Sequence, residues 1–347
     1  MGATPFGVGL IAAGPVAQAI HLPTLARMPD RFSVVHVADI DPAIAREVAG
    51  HVGARCSASA EELIADPFVE VVVVGSPDRF HAEQVIAACE AGKSAVLCEK
   101  PLAISVEDAF AIAEASTRTG VPVVVGTMHA FDAAWVEALR EWETLGSSAH
   151  AIRVSAALPP NAWSEDFATQ IFGRPAPRQA AADTMEADVA TARGGVLGLA
   201  IHDLPLVRRL LPAGPVEVHS VDLLAPWGIE LVASVGDCML ELHGAVGSTW
   251  RPDWTLEAIG EDSVLRTRFP LSYVHAGSST STLTRADQTV VLGPYADGGY
   301  VDEWEHVFAV LTGEAAAPDM EALLADADLA LDLARQAEAL VRERRSA

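Results

Sequence analysis

Short runs in which nearly every residue is apolar alternate with longer stretches that are apolar on one side only, from residue 6 to residue 126. "FGVGLI", "FSVVHVAD", "VEVVVVGS", "SAVLCEK" and "VPVVVG" read as strands buried on both faces. Between them "PVAQAIHLPTLARM", "PAIAREVAGHV", "DRFHAEQVIAACEAG" and "VEDAFAIAEASTRTG" carry helical periodicity, the first interrupted at Pro23. Alternation of this kind predicts a parallel sheet with helices on each side, joined by right-handed crossovers. After residue 126 the rhythm changes. "FDAAWVEALREWETLG" is one amphipathic helix, and "SAHAIRVSAAL" opens a strand region. Residues 159–193 hold several prolines and no clear period, which reads as a long loop or short irregular helices. "GGVLGLAIHDLPLVRRLL" is helical in outline with an unusual Gly-Gly start. "VEVHSVDLLA", "IELVASV", "CMLELHGAV" and "WTLEAIGE" then follow one another as strands without helices between them, predicting an antiparallel or mixed sheet. Two helical stretches close the chain from residue 301.

The expected architecture is therefore α/β, with its one clear boundary near residue 126. The length of 347 residues fits two domains. Acidic residues number 47 against 23 basic ones, a formal net charge of −24 that repels nucleic acid and anionic membranes. No run is long and apolar enough to span a bilayer, and no basic leader precedes the first apolar stretch, so the cytoplasm is the expected location. Cys56, Cys89, Cys98 and Cys238 lack metal-site spacing and are read as unpaired, with Cys89 and Cys98 as small buried apolar residues. No metal site is expected.

Chemistry enters at "GLIAAGPVAQA". In a βα turn that holds a pyrophosphate at a helix N-terminus, the three glycine positions correspond here to Ala12, Gly14 and Ala17. Gly14 keeps the position where the backbone approaches the phosphates. Ala17 meets the need for close helix–strand packing, and Ala12 has to be accommodated in the turn itself. A purely structural turn would fit this stretch almost as well. Asp39, at the end of the second strand, suits hydrogen bonding to ribose hydroxyls and repels a 2′-phosphate; no arginine follows it, which favours NAD over NADP. It also reads as an ordinary helix N-terminal residue. Only two of the basic residues are lysines, Lys93 and Lys100. Lys100 falls just past the carboxyl end of a parallel strand, where ligands of open α/β sheets bind. A lysine near 10.4 is a poor base at neutral pH, so burial is needed to make it one. Pro101 makes a cis peptide possible there. Lys93 reads as a helix C-terminal cap.

The run "VVVVGSPDRFHAEQVIAACEAGKSAVLCEKPLA" resembles the glucose–fructose oxidoreductase / inositol dehydrogenase / MocA (Gfo/Idh/MocA) family, through Ser76-Pro77, His81, Ala91-Gly92-Lys93 and Glu99-Lys100-Pro101. "HLPTL" at 21–25 and "AIHDLPLVRRLL" also fit. The resemblance implies a nucleotide contact set of Ala13, Gly14, Pro15, Val16, Asp39, Ser76, Pro77, His81, Glu99, Lys100 and Met128. It implies a Rossmann dinucleotide-binding domain over 1–126, an α/β domain with an open, mostly antiparallel sheet for substrate binding and oligomerisation over 127–300, and C-terminal helices (301–347) that pack back toward the first domain. It implies catalysis by Lys100 and His202, with Asp203 as a helper. The family Asp expected four residues before His202 is Gly198, and Asp203 projects roughly 100° away on a helix. Met128 and Ala130 stand where the family often has Asn and Arg, and His129 adds an imidazole that reads equally as structural or functional. Lys100, His129, His202, Trp163 and Tyr273 are the candidate substrate contacts; Trp227 and His275 read as pocket or core. The implied activity is NAD-dependent hydride transfer to or from a carbinol or keto carbon of a sugar, cyclitol or related polyol, in a homodimer or homotetramer built through the C-terminal sheet. The alternatives are a transient-oxidation lyase, epimerase or glycosidase that retains NAD, or a cofactor-binding regulator that has lost catalysis.

Overall fold

The computed structural model describes residues 4–174, 184–247, 251–286 and 288–346, apart from the side chains of residues 167 and 168. Contacts divide the chain into two units. The first comprises 1–126, 165–176 and 303–327; the second comprises 127–164, 177–302 and 328–347. Of the C-terminal helical region, residues 303–327 lie in the first unit and 328–347 in the second.

In the first unit β1 (Phe6–Ile11), β2 (Phe32–Ala38), β3 (Arg55–Ser57), β4 (Val71–Val74), β5 (Ala95–Glu99) and β6 (Val123–Gly126) form a parallel sheet in the order β3-β2-β1-β4-β5-β6. The order reverses between β1 and β4, and a crevice opens beyond the carboxyl ends of strands at such a point. The helices are α1 (Leu22–Leu25), α2 (Pro42–Val52), α3 (Ala60–Ala65), α4 (His81–Glu90) and α5 (Val106–Thr119). All four valines of β4 are buried, as a strand covered on both faces requires. Helix ends follow local chemistry. Asp41 caps α2 by accepting from the Ala43 N–H, Pro42 occupies the first turn, and Gly53 closes the helix at φ 69°. The interruption expected at Pro23 takes the form of a π-helical turn, Ala17–His21, directly before α1; the Leu22 N–H reaches back to the Ala17 carbonyl. Proline has no N–H to continue the regular ladder, and the wider turn re-routes it.

The second unit follows from α6 (Ala133–Thr144), β7 (Ala149–Leu158), α7 (Asn161–Ala168, shared with the first unit), α8 (Met185–Gly194), α9 (Leu204–Leu210), β8 (Glu217–Leu223), β9 (Gly228–Val235), β10 (Cys238–Val246), β11 (Asp253–Gly260), β12 (Ser263–Arg268), β13 (Thr280–Arg285) and β14 (Gln288–Leu292). Its eight strands run β14-β13-β12-β11-β7-β10-β9-β8. The pair β7–β10 is parallel and the other pairs are antiparallel. Burial alternates along β10 and β11, so one face packs under the helices around Ile229, Leu231, Leu240, Leu242, Leu256 and Ala258. α10 (Gly299–Thr312) and α11 (Met320–Ser346) end the chain.

The Gly-Gly pair before His202 has a packing origin. A Cβ on Gly195 would lie 2.6 Å from Ile229 Cγ2, so the helical path can approach β9 only with glycine there. The path itself changes gauge, from α8 through a π turn (Gly195–Leu199) and a 3₁₀ turn (Ala200–His202) into α9. All four cysteines are free; Cys89, Cys98 and Cys238 are buried and Cys56 is exposed. No helix among the described residues is long and apolar enough to cross a membrane.

Candidate functional site

The turn after β1 is fixed by backbone bonds that a nucleotide does not need to supply. The Ala12 N–H donates to the Ala38 carbonyl at 2.8 Å, and Gly75 donates to Ile11 at 3.0 Å. Ala12 lies in the left-handed region, at φ 71°. The Ala13 N–H donates to Asp39 Oδ2 at 2.8 Å, and Asp39 Oδ1 accepts from the Asp41 N–H at 2.9 Å. Asp39 therefore locks the turn through the Ala13 amide. Gln18, which no sequence signal singled out, donates from Nε2 to Ala13 O at 2.7 Å and to Phe172 O at 2.9 Å, while its Oε1 accepts from the Phe172 N–H at 2.8 Å.

Gly14 tests whether the turn fits a dinucleotide. Its φ is not left-handed, and a Cβ built on it would meet nothing within 4 Å. Neither conformation nor protein packing demands glycine here. Open space in front of a backbone that leads through Pro15 and Val16 into a helical turn is what a pyrophosphate requires. The residues present fit the cofactor.

At the ends of β4 and β5, Ser76 donates through Oγ to Gln84 Oε1 at 2.7 Å, and Pro77 precedes a 3₁₀ turn, Asp78–Phe80. His81 is buried, with Nδ1 2.7 Å from Pro101 O and Nε2 2.9 Å from Ser76 O. Both nitrogens are spent on backbone carbonyls. The ring thus clamps the Ser76 loop to the Lys100–Pro101 turn, whose peptide is cis. Trp304 Nε1 donates to His21 Nδ1 at 3.3 Å; an indole only donates, so His21 carries its proton on Nε2 and gives it to Glu99 Oε1 at 3.0 Å. Gly126 makes room, since a Cβ there would sit 3.2 Å from the Glu99 carboxyl carbon.

The charges in this group diverge. Burial pushes the Glu99 carboxyl up, but the His21 hydrogen bond and the Lys100 charge hold it below the usual range. Glu303, buried against the same group, is pushed well above that range by burial and by the nearby Glu99 charge, and its Oε1 has no partner among the described residues. Burial lowers the Lys100 ammonium below 10.5 against the opposing pull of Glu99 and Asp78. Lys93 is put to a different use: its Nζ donates to Asp66 O at 2.9 Å and Val69 O at 2.7 Å, capping α3 rather than its own helix.

In the second unit Asp203 pairs with His129 and not with its neighbour His202. His129 Nδ1 lies 2.8 Å from Asp203 Oδ1, and Trp254 Nε1 donates to Asp203 Oδ2 at 2.7 Å. Phe269 stacks on His129 at 3.8 Å and 12°, and Trp254 meets it edge-on at 4.5 Å. The His202 ring is 5.4 Å from Trp254 and 6.1 Å from His129. A Cβ on Gly198 would enter open space. Met128 is packed in this unit's core, Tyr273 is buried with its N–H donating to Tyr300 Oη at 3.3 Å, and His275 lies beside Tyr300. Trp227 packs against Gly194, whereas Trp163 is 63% exposed on α7. Trp254 lies in β11 and Phe269 directly after β12, where the sequence pattern marks them only as core. Among the described residues no group of three or more His, Cys, Asp or Glu is arranged to hold a metal ion.

A doubly wound parallel sheet with a locked β1 turn and an open Gly14 has the layout of a dinucleotide-binding Rossmann fold, with a buried Glu-Lys pair at the end of β5. Residues 6–127 match the Gfo/Idh/MocA family model, described as "Oxidoreductase family, NAD-binding Rossmann fold". The chain is 45% identical to inositol 2-dehydrogenase 3 of Saccharopolyspora erythraea over 131 residues, 38% of each chain. The chain spans less than half the length of the curated relatives it matches. Over nearly its whole length it shares a fold with KijD10, a 3-ketoreductase from Actinomadura kijaniata solved with NADP and TDP-benzene (TM-score 0.70, 19% identity, 94% of this chain and 96% of that one). It is similarly related to GenD2 from gentamicin A biosynthesis, solved with NAD (TM-score 0.71, 20% identity, 98% and 95%).

Proposed function

We propose that this protein is an NAD-dependent oxidoreductase acting on a CH–OH group of a sugar, cyclitol or related polyol. The observation that carries the reading is Lys100: an ammonium held below its ordinary value by burial, at the carboxyl edge of the sheet that the glycine turn serves. Gly14, Pro15 and Val16 hold the diphosphate and Asp39 the adenosine ribose, where its charge disfavours a 2′-phosphate. The bound dinucleotide supplies the hydride acceptor. Lys100, in its neutral form, takes the hydroxyl proton, and Glu99, fixed by His21, keeps the lysine in place. The exposed face of the eight-stranded sheet, on which Arg153 pairs with Glu241 at 2.9 Å, forms the interface between copies.

A panel of polyols and sugars, each run with NAD and with NADP and followed by nicotinamide absorbance, tests the reading. The parent oxidises at least one member with NAD preferred, and kcat/KM climbs with pH as Lys100 loses its proton. Lys100→Arg, which keeps the charge but cannot give it up, loses roughly 10²–10⁴-fold in kcat. Turnover without net NADH would point instead to transient oxidation. Full activity in Lys100→Arg would remove the lysine from the chemistry.

A further inference from the structure

The β1 turn is tied to a segment 154 residues further on, and the Lys100 chemistry does not use the tie. Residues 165–176 belong to the first unit. Within them the Phe172 backbone is gripped by a side chain. The Gln18 amide donates to the Phe172 carbonyl at 2.9 Å and accepts from its N–H at 2.8 Å, as a neighbouring strand would. The second Nε2 hydrogen goes to Ala13 O at 2.7 Å, so the amide is fully used. Gln18 is 5% exposed. Ala13 is thus held at both backbone groups, its carbonyl by Gln18 and its N–H by Asp39. A continuous chain of hydrogen bonds runs from Phe172 to the Asp39 carboxylate. The segment is also seated on α2. Gly173 lies at φ 65°, and a Cβ on it would run into Ile44 Cδ1, so glycine is what lets the chain pass this close. The Phe172 ring meets His51, in the last turn of α2, at 4.9 Å, and Arg174 pairs with Glu165 and Asp166. The positions next to these anchors stay open. A Cβ on Gly14 would meet nothing, and Ile40, beside Asp39, is 93% exposed, an apolar side chain that the face of a purine can cover.

We infer that residues 169–174, held by Gln18, wall the adenosine end of the dinucleotide site, and that Gln18 is a positioning residue for the cofactor. The assignment rests on the NAD reading above. The wall is seated before the ligand arrives, so binding does not carry the cost of ordering it. With the Gln18 bonds deleted, the segment has to be ordered at each binding event, and the dinucleotide binds more weakly.

Calorimetric titration with NAD and with ADP-ribose tests it, on the parent, Gln18→Met, Gly173→Ala and the double variant. Methionine keeps the length of the side chain and deletes its three bonds. Alanine at 173 drives the segment off α2 and leaves Gln18 in place. Each single variant is expected to raise Kd about 10-fold for both ligands. ADP-ribose lacks the nicotinamide, so an equal loss with it assigns the effect to the adenosine side. The double variant is expected to lose no more than the weaker-binding single one, because both changes release the same segment. Additive losses would confine the Gln18 effect to the β1 turn and overturn the inference. So would an unchanged Kd, a loss seen with NAD alone, or tighter binding, which would make the segment an obstruction. Hydrogen exchange supplies a readout without ligand: the Phe172 N–H is expected to be protected in the parent and to exchange about 10-fold faster in Gln18→Met. Equal exchange in the two overturns the inference. A parent that binds neither NAD, NADP nor ADP-ribose overturns the functional reading, and this assignment with it; a parent that binds NAD no more tightly than the variants do overturns the wall alone.

Discussion

Replacing Ala12 by glycine should stabilise the first unit, although it removes a methyl group from the start of a cofactor turn. Ala12 is held at φ 71° by the bond from its N–H to Ala38 O and by the neighbouring tie from Ala13 to Asp39. An L-residue in that region pays about 1–2 kcal/mol because Cβ crowds the following carbonyl. Glycine relieves this strain but loses about 0.5–1 kcal/mol more conformational entropy on folding. The net gain is about 0.5–1 kcal/mol, which for a body of this size raises Tm by roughly 1–4 °C. Thermal denaturation followed by circular dichroism measures it, with Ala17→Gly as the contrast. Ala17 is buried in the π turn with no positive φ to relieve, so the same exchange costs about 1 kcal/mol there. Opposite signs at two positions five residues apart are the expected result. A fall in Tm for Ala12→Gly would show that the methyl group's packing outweighs the backbone strain, and the account of the turn would be wrong.

Asp66→Asn should lower stability by about 2–4 kcal/mol at neutral pH, since Asp66 accepts from His36 at 2.8 Å, Arg55 at 2.7 Å and the Phe68 N–H at 3.0 Å. Burial pushes this carboxyl up, but those partners together hold it below its ordinary value. A depressed carboxyl stabilises fully above its unfolded pKa, about 3.9, and loses that contribution as pH falls through the folded value. Urea titrations of parent and variant should therefore draw together as pH falls below about 4 and meet once it has passed the folded value; a gap that persists below that value would assign the loss to packing. Gly195→Ala should cost about 1–3 kcal/mol through the contact with Ile229, and Ile229→Val in the same chain should recover part of it; no recovery would point to a backbone effect.

The strands of the first sheet were legible because burial on both faces leaves an unbroken apolar run, and helix ends were legible because Asp41, Pro42 and Gly53 are local signals. The π turn was partly visible as Pro23. The second sheet was readable as strands, but not its order, since the parallel β7–β10 pair joins segments some 80 residues apart. In the site, Gly14, Asp39 and Lys100 announced themselves by residue type and place. Gln18, His21, Trp254 and Phe269 could not, because their roles depend on partners distant in sequence. Asp203 shows the limit most clearly. Adjacency suggested His202, and a helical wheel put the carboxylate off to one side; the turn between 3₁₀ and α geometry aims it at a histidine 74 residues earlier.

The same long-range logic sets the lysine. Two buried carboxyls near one another do not both ionise, because each charge raises the other's pKa. Here the donors are distributed unequally: Glu99 receives His21 and Lys100, while Glu303 Oε1 has no partner among the described residues. Glu99 is thus held below the usual carboxylate range and Glu303 well above it. The charges that oppose the desolvation of Lys100 are those of Glu99 and Asp78. His21 and Trp304 act on the base indirectly: the indole fixes the tautomer of His21, and His21 holds the Glu99 carboxylate that neighbours the lysine.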